Sequence, residues 1–456
     1  MTPRAPARAF RAAGAERIDA IEAGLGDWRR FAGGSFRAFH AVGFSQGTVG
    51  ALAGGAVTTP LLLALGAAPA FALLVAILPS LGSLSQLAMP GVLRRTNGNL
   101  RGVTLLVAIL GDTRGFWYAG IVGLAALGAV SREEALAGVV AISIVAAAIG
   151  GLSGSNLLAW YHVVLPERER RFVSPRTGAV GAIAAAALLA PTALLLHDPS
   201  VGLAPFVIPF VVAGLASLVG IGGLLRLPHP GRVTVPDRAS VKADRPAGLD
   251  RFVRVSVVGA VGAGLGPPLS IYAIVVLGLS PGFTVALSAL ATLASLVAST
   301  VVSSKLDRGS SSQVLRFSHA IRAVAMGLGL LAFPGNPAAA LLLIGAAVLS
   351  ATGDSASGLA SSERILRLSK GPAAIAHQAH YVAATSSTSA GAQLAAAGLL
   401  AATTTLGYPA YAVLFVGSAA ARVITASRLE VAPVEVSPRD VVALPRGVPA
   451  APAAAA

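Results

Sequence analysis

Two ionisable side chains, Asp112 and Arg114, stand inside one long apolar run of this 456-residue chain. Counted from Arg101 at about 1.5 Å per residue, Arg114 falls near the middle of a membrane-spanning helix. Charges are costly at that depth, so residues placed there are functional candidates. Two positions apart on a helix, the side chains do not face each other, and each needs its own partner or a wet cavity. The chemistry they offer is anion binding by Arg114 and proton carriage by Asp112. The alternative is a structural ion pair with another helix.

Arg322 lies in another apolar run, with His319 about one turn before it. It starts nearer a basic gap, from which a long side chain can snorkel to the membrane surface, so a gating or structural role is expected. Asp354 ends a further apolar run, and Arg364 or Arg367 is its expected partner in a gate latch. His377, Tyr381, Thr385 and Thr388 recur at helical spacing, as do Thr284, Ser288, Thr292, Ser295 and Ser299. Either stripe could line a solute path, but small hydroxyl residues also let membrane helices pack closely. The first stripe is read as cavity or gate, because His and Tyr are larger than packing needs; the second is read as packing.

Gln46 is an isolated polar group and a substrate-contact candidate, with helix packing as the alternative. Pro267 and Pro268 follow Gly262, Gly264 and Gly266 and are expected to kink or break their helix, as a moving gate or as a static kink. Trp160 and Tyr161 are expected in the interfacial aromatic belt. His377 and His380 have i,i+3 spacing without a nearby carboxylate, so no metal site is expected. No cofactor is expected either, and no Gly-rich Lys-Ser/Thr loop is present to hold ATP phosphates.

These side chains need elements that can hold them in lipid. The chain is 55% hydrophobic and 12% charged, with a mean hydropathy of +0.76, whereas a soluble protein carries about 25% charged residues. Its apolar runs are roughly 20 residues long, enough to cross about 30 Å of hydrocarbon. They fall at roughly 40–64, 70–92, 102–130, 135–160, 177–196, 202–225, 252–277, 283–303, 315–333, 338–354, 373–400 and 410–427. Backbone polar groups cannot be left unsatisfied in lipid, and the Ala/Leu content favours helices over barrel strands. The expected fold is therefore an all-α polytopic membrane protein of about twelve transmembrane helices.

The cations orient it. Of the 34 Lys and Arg, only Arg132 is placed on one side, and Arg114 and Arg322 fall inside apolar runs; the rest share the other side. Short loops beside membrane spans keep Lys and Arg in the cytoplasm, so a cell-membrane protein with both termini cytoplasmic is expected. The net charge of +15 and the pI near 11.3 then suit anionic lipid headgroups, and nucleic acid is not an expected partner. No cysteine is present, which excludes disulfides and thiol chemistry. No cleavable signal is read at the N-terminus.

The longest gap, from Arg226 to Arg254, is rich in Pro, Arg and Asp and too poor in apolar residues to build a core. It divides the chain into a tail (1–37), a six-helix bundle (38–227), a linker (228–250), a second six-helix bundle (251–428) and a tail (429–456). The halves echo each other: Glu167, Arg168 and Arg171 recur in spacing as Glu363, Arg364 and Arg367, each set after the fourth span of its half. Parallel repeats of this kind occur in transporters.

At this point the chain resembles the major facilitator superfamily over roughly residues 38–428. The architecture carries most of the match. The run LLLALGAAPAFALLVAILPSLGSLSQLAMPGVLRR (Leu61–Arg95) looks like the end of helix one, helix two and the basic turn of bacterial members, and AWYHVVLPERERRFVSPR (Ala159–Arg176) is similar to the Trp…Pro-Glu…Arg signature between their fourth and fifth helices. The loop after the second helix departs from the family pattern in having no Asp, whereas Asp307, Arg308 and Gly309 keep it in the second half. The Gly-Pro pattern of many drug antiporters is missing from Ala179–Leu195, which counts against drug–proton antiport. The resemblance implies a secondary active transporter that moves a small-molecule substrate by alternating access, with protons as a candidate coupling ion. The alternatives are a membrane-embedded enzyme or lipid-handling protein, and a transporter-like sensor that does not transport. Catalysis would have little to work with, since the loops on the less basic side offer only Glu133, Glu134, His197 and Asp198.

Overall fold

The computed structural model describes residues 34–164, 167–198, 202–230, 232, 247–266, 269–306, 311–368, 373–403 and 407–429, and among them every regular element is helical. The first span joins α1 (Gly34–Leu52) to α2 (Gly55–Ala64) across a break at Ala53 and Gly54. The second joins α3 (Pro69–Gly82), a 3-10 segment (Ser83–Ala88) and α4 (Met89–Arg95). The third joins α5 (Leu100–Val107), a π-helical turn (Ala108–Asp112) and α6 (Arg114–Ala126). Then come α7 (Arg132–Val164), α8 (Glu167–Leu195) and α9 (Ala204–Arg226). The seventh span is α10 (Ala247–Leu265) with α11 (Leu269–Val275). The last five are α12 (Pro281–Leu306), α13 (Ser311–Leu331), α14 (Ala339–Leu368), α15 (Ala373–Ala402) and α16 (Tyr408–Arg428).

Eleven of these stretches are long and apolar enough to cross a membrane. The element outside that set is α15. Its 30 residues exceed the length required, but two histidines and the hydroxyl run Thr385–Thr388 lower the hydropathy of its first half. Pro267 and Pro268 lie outside the described residues. So do 1–33, most of the expected linker (233–246), Asp307, Arg308 and Gly309, and 430–456.

Six hairpins turn on a glycine with positive φ: Gly66, Gly128, Gly202, Gly278, Gly335 and Gly407. A Cβ is strained in that conformation, so glycine suits these tight turns. They follow spans one, three, five, seven, nine and eleven, so all six lie on the same face. The other face gathers Arg94, Arg95, Arg226, Arg251, Arg254, Arg316 and Arg428 near helix ends, and it is called the basic face below.

The same packing occurs twice. α1 packs on α8 and α9, and in the second half α10 packs on α15 and α16. The pair α6–α9 is matched by α13–α16, and α3–α7 by α12–α14. Small residues permit the close approach that drives helix association in lipid. A Cβ on Gly47 of α1 would collide with the backbone of Gly181 on α8, and one on Gly264 of α10 with the Ser389 carbonyl of α15. The halves meet where α8 packs on α12 and α3 on α15.

The buried cores differ between the two faces. Towards the glycine turns, one continuous cluster crosses both halves, running from Leu61, Leu73 and Leu196 to Ile271, Tyr272 and Phe415. Tyr272 fixes its second-half part, with ring centroids 5.2 Å from Tyr411 and 5.3 Å from Phe415. Towards the basic face the core splits. One cluster, around Phe39, Leu100 and Trp160, belongs to the first half, and another, around Phe252, Leu315 and Ile365, to the second. Trp160 corrects the expectation of an interfacial position: it is fully buried, and its indole N–H donates to the Pro228 carbonyl at 3.0 Å.

Candidate functional site

Three basic side chains converge inside the second half. α13 presents His319 and Arg322 about one turn apart, and α16 presents Arg422. Each rests against a glycine of a neighbouring helix. A Cβ on Gly259 would lie 2.8 Å from His319 Cε1, one on Gly262 3.2 Å from Arg422 Cδ, and one on Gly353 2.6 Å from Arg322 Cγ. Glycine at these positions makes room for long polar side chains among apolar helices. Arg422 is 6% exposed, and among the described residues no hydrogen bond or ion pair reaches it. It lines the same cavity as Arg322 and His319.

Arg322 forms an ion pair with Asp354 of α14, with side-chain exposures of 11% and 54%. Its Nε and the Nδ1 of His319 are buried without hydrogen-bond partners. This corrects two expectations. Arg322 does not snorkel to the surface, and Asp354 has Arg322 as a partner, where Arg364 or Arg367 was expected; the Arg367 side chain lies outside the described residues. The Arg364 guanidinium lies over the Phe252 ring, 5.3 Å from its centroid. Arg422, six residues from the end of its helix, also stays inside instead of reaching the basic face.

Two cavities meet at these arginines. The first, of about 230 Å³, is walled by His319, Tyr381, Thr385 and Ser386, with Ser80 of α3 contributed by the other half. Phe252 and Leu429 mark its basic end. The second, of about 370 Å³, is walled by Thr284, Ser288, Ser350, Asp354 and Ser418. Arg322 and Arg422 line both.

The two polar stripes divide differently from their sequence reading. On α15, Tyr381 and Thr385 face the first cavity, and the Tyr381 ring stacks on Phe252 at 5.4 Å. His377 is buried and lines neither cavity, and the Thr388 hydroxyl donates to the Ala384 carbonyl of its own helix. On α12, Thr284 and Ser288 face the second cavity, whereas Ser295 donates to the Ala351 carbonyl at 3.1 Å and Ser355 donates back to the Ser295 carbonyl at 3.1 Å. The stripe therefore serves the cavity at one end and helix packing at the other.

In the first half, the π-helical turn ends at Asp112 and carries it into a small cavity, about 20 Å³, with Ser45, Gln46 and Thr104. π-turns in helices are frequent at functional sites. Arg114 goes elsewhere. Its Nε donates to the Ala53 carbonyl at 3.1 Å and its Nη1 to the Gly111 carbonyl at 3.2 Å. The break between α1 and α2 leaves the Ala53 carbonyl available, since Val57 N–H donates to Gly54 instead. Among the described residues no ion pair joins Asp112 to Arg114, and no group of His, Cys, Asp and Glu could hold a metal ion.

No family model matches the chain, and no curated protein matches its sequence. Solved structures do match. The inward open conformation of the xylose transporter XylE from E. coli is 13% identical, with a TM-score of 0.64 over 88% of this chain and 97% of that one. A D-xylose-proton symporter is 14% identical, with a TM-score of 0.63 over 87% and 96%. The nucleoside transporter NupG is 13% identical, with a TM-score of 0.57 over 86% and 97%. Identities this low speak to architecture alone, and on that ground the chain has the fold of the major facilitator transporters.

Proposed function

We propose that the chain is a secondary transporter of a small solute in the cell membrane, working by alternating access between the halves 38–227 and 251–428. One observation carries this reading. A single core crosses both halves at one face, whereas two separate cores flank the cavities at the basic face. A packed core is bistable and does not deform continuously, so a seal on one side with a parting on the other describes one of two end states. The basic face is assigned to the cytoplasm because short basic loops stay there, which makes this the inward-open state with both termini inside. The segment between α9 and α10 then links the halves, and Asp112 is the candidate proton carrier.

The natural absence of cysteine makes the test direct. Ser256→Cys places one thiol on the first cavity. In oriented vesicles, a membrane-impermeant maleimide should reach it from the cytoplasmic side at rest and from the other side when a transported solute is supplied. A solute library screened by vesicle uptake identifies that solute. Labelling that stays one-sided with every solute, together with no saturable uptake above empty vesicles, would overturn the proposal.

A further inference from the structure

The two cavities are unbalanced in charge. Among the described residues their walls carry two guanidiniums, Arg322 and Arg422, and one carboxylate, Asp354. Asp354 is engaged by Arg322. Arg422 is left buried and unpaired, and arginine does not lose its proton in proteins. A buried cation without a partner is costly, so buried charges are normally paired. Gly262 lies directly beneath the Arg422 stem, which makes the burial a built feature of the helix interface and not a stray side chain.

The missing partner is an anion. We propose that the transported solute is a small oxyanion, a carboxylate or a phosphate, held by the Arg422 guanidinium beside His319 and the unbonded Nε of Arg322. The word solute rests on the transporter reading; the anion site itself does not. A guanidinium presents parallel N–H donors that match two oxygens of a carboxylate or phosphate. The Nδ1 of His319 and the Nε of Arg322 are also buried without hydrogen-bond partners beside Arg422, so among the described residues no acceptor of the protein competes for the Arg422 donors at this wall. The cavities of about 230 and 370 Å³ that meet at these arginines have room for a small carboxylate or phosphate. Asp354 then has a second consequence. It competes with the anion for Arg322, so removing its charge frees a second guanidinium for the same ligand.

The test uses the purified full chain in phosphatidylcholine nanodiscs, with sodium phosphate and sodium succinate as probes. Sodium chloride at equal ionic strength and glucose serve as controls. At least one oxyanion should raise the unfolding midpoint, as any ligand of the native state does. Arg422→Gln should lose that shift, and Arg422→Lys should keep part of it. Should Arg422→Gln fail to fold, Ser386→Cys in the otherwise unaltered chain reports on the same cavity. Its alkylation should slow roughly tenfold at ten times the Kd of the anion. An equal shift with glucose, or a full shift retained in Arg422→Gln, overturns the proposal. So does the absence of any anion effect in both assays. The other source of phosphate is a lipid headgroup: if phosphatidylglycerol slows the alkylation and no free anion does, the occupant is lipid and the solute claim falls. Anion binding with one-sided labelling would remove the transporter reading and leave the site. Uptake of a neutral solute without anion binding would do the reverse.

Discussion

Gly353 of α14 lies against the stem of Arg322 on α13, so closely that a Cβ at position 353 would sit 2.6 Å from Arg322 Cγ and 2.9 Å from the Ser318 carbonyl. The backbone carbonyl cannot swing aside as a flexible side chain could. Gly353→Ala should therefore displace Arg322 from Asp354 or push the two helices apart, at a cost of about 1–3 kcal/mol. Thermal unfolding measures this. A Gly353→Ala protein as stable as the parent would mean that the contact has room the geometry denies.

The Arg322–Asp354 pair should behave as a coupled unit. Asp354→Asn leaves a buried guanidinium without its counter-charge, and Arg322→Gln leaves a half-exposed carboxylate that water can solvate. The first change should therefore destabilise more than the second. The double variant should recover part of the loss, with a coupling energy of about 1–2 kcal/mol. Strict additivity in the four-protein cycle would show that the pair contributes nothing to stability.

The span pattern was legible in the sequence because lipid dictates run length, and the basic gaps because charge placement is one-sided. The partners of the buried charges were not legible. Asp354 was assigned to Arg364 or Arg367 by proximity along one stretch of chain, whereas Arg322 reaches it from the preceding span across the interface cleared by Gly353. Arg422 sits near enough to its helix end to snorkel, and only the placement of α10 with Gly262 beneath it encloses the side chain. Arg114 is expected from the sequence to hold a solute anion or to pair with another helix, but the unwound backbone at Ala53 offers it a carbonyl, and no hydropathy pattern reports such a break. Glycines opposite long polar residues on another span are the signal that was missed. Reading them requires knowing which helices touch.

Among the described residues, the seal on the glycine-turn face has one backbone-to-backbone link between the halves. Gly282 N–H at the start of α12 donates to the Leu196 carbonyl after α8 at 2.9 Å, and a Cβ on Gly282 would fall 2.8 Å from the backbone of His197. Gly282→Ala should thus disfavour closure of this face without touching either cavity. A shift of about 1.4 kcal/mol is a roughly tenfold change in population. Ser288→Cys, on the second cavity, should then be alkylated roughly tenfold faster from the glycine-turn side. An unchanged rate would show that the seal does not depend on this approach.

Asp112 and Arg114 should separate in experiment although two residues separate them in sequence. Arg114 donates only to the backbone carbonyls of Ala53 and Gly111 in the bonds the structure gives it, so Arg114→Gln strands a carbonyl and should cost about 1–3 kcal/mol of stability. Its affinity for the solute should be close to that of the parent. Asp112 shares its small cavity with Ser45, Gln46 and Thr104 and has no ion-pair partner among the described residues. If it carries the coupling proton, Asp112→Asn should abolish accumulation driven by a pH gradient while leaving solute counterflow in place, because exchange needs no net proton movement. Counterflow and gradient-driven uptake measured in the same vesicles decide the matter. Full pH-driven accumulation by Asp112→Asn would remove Asp112 from the coupling path, and loss of both activities with a lowered unfolding midpoint would make its role structural.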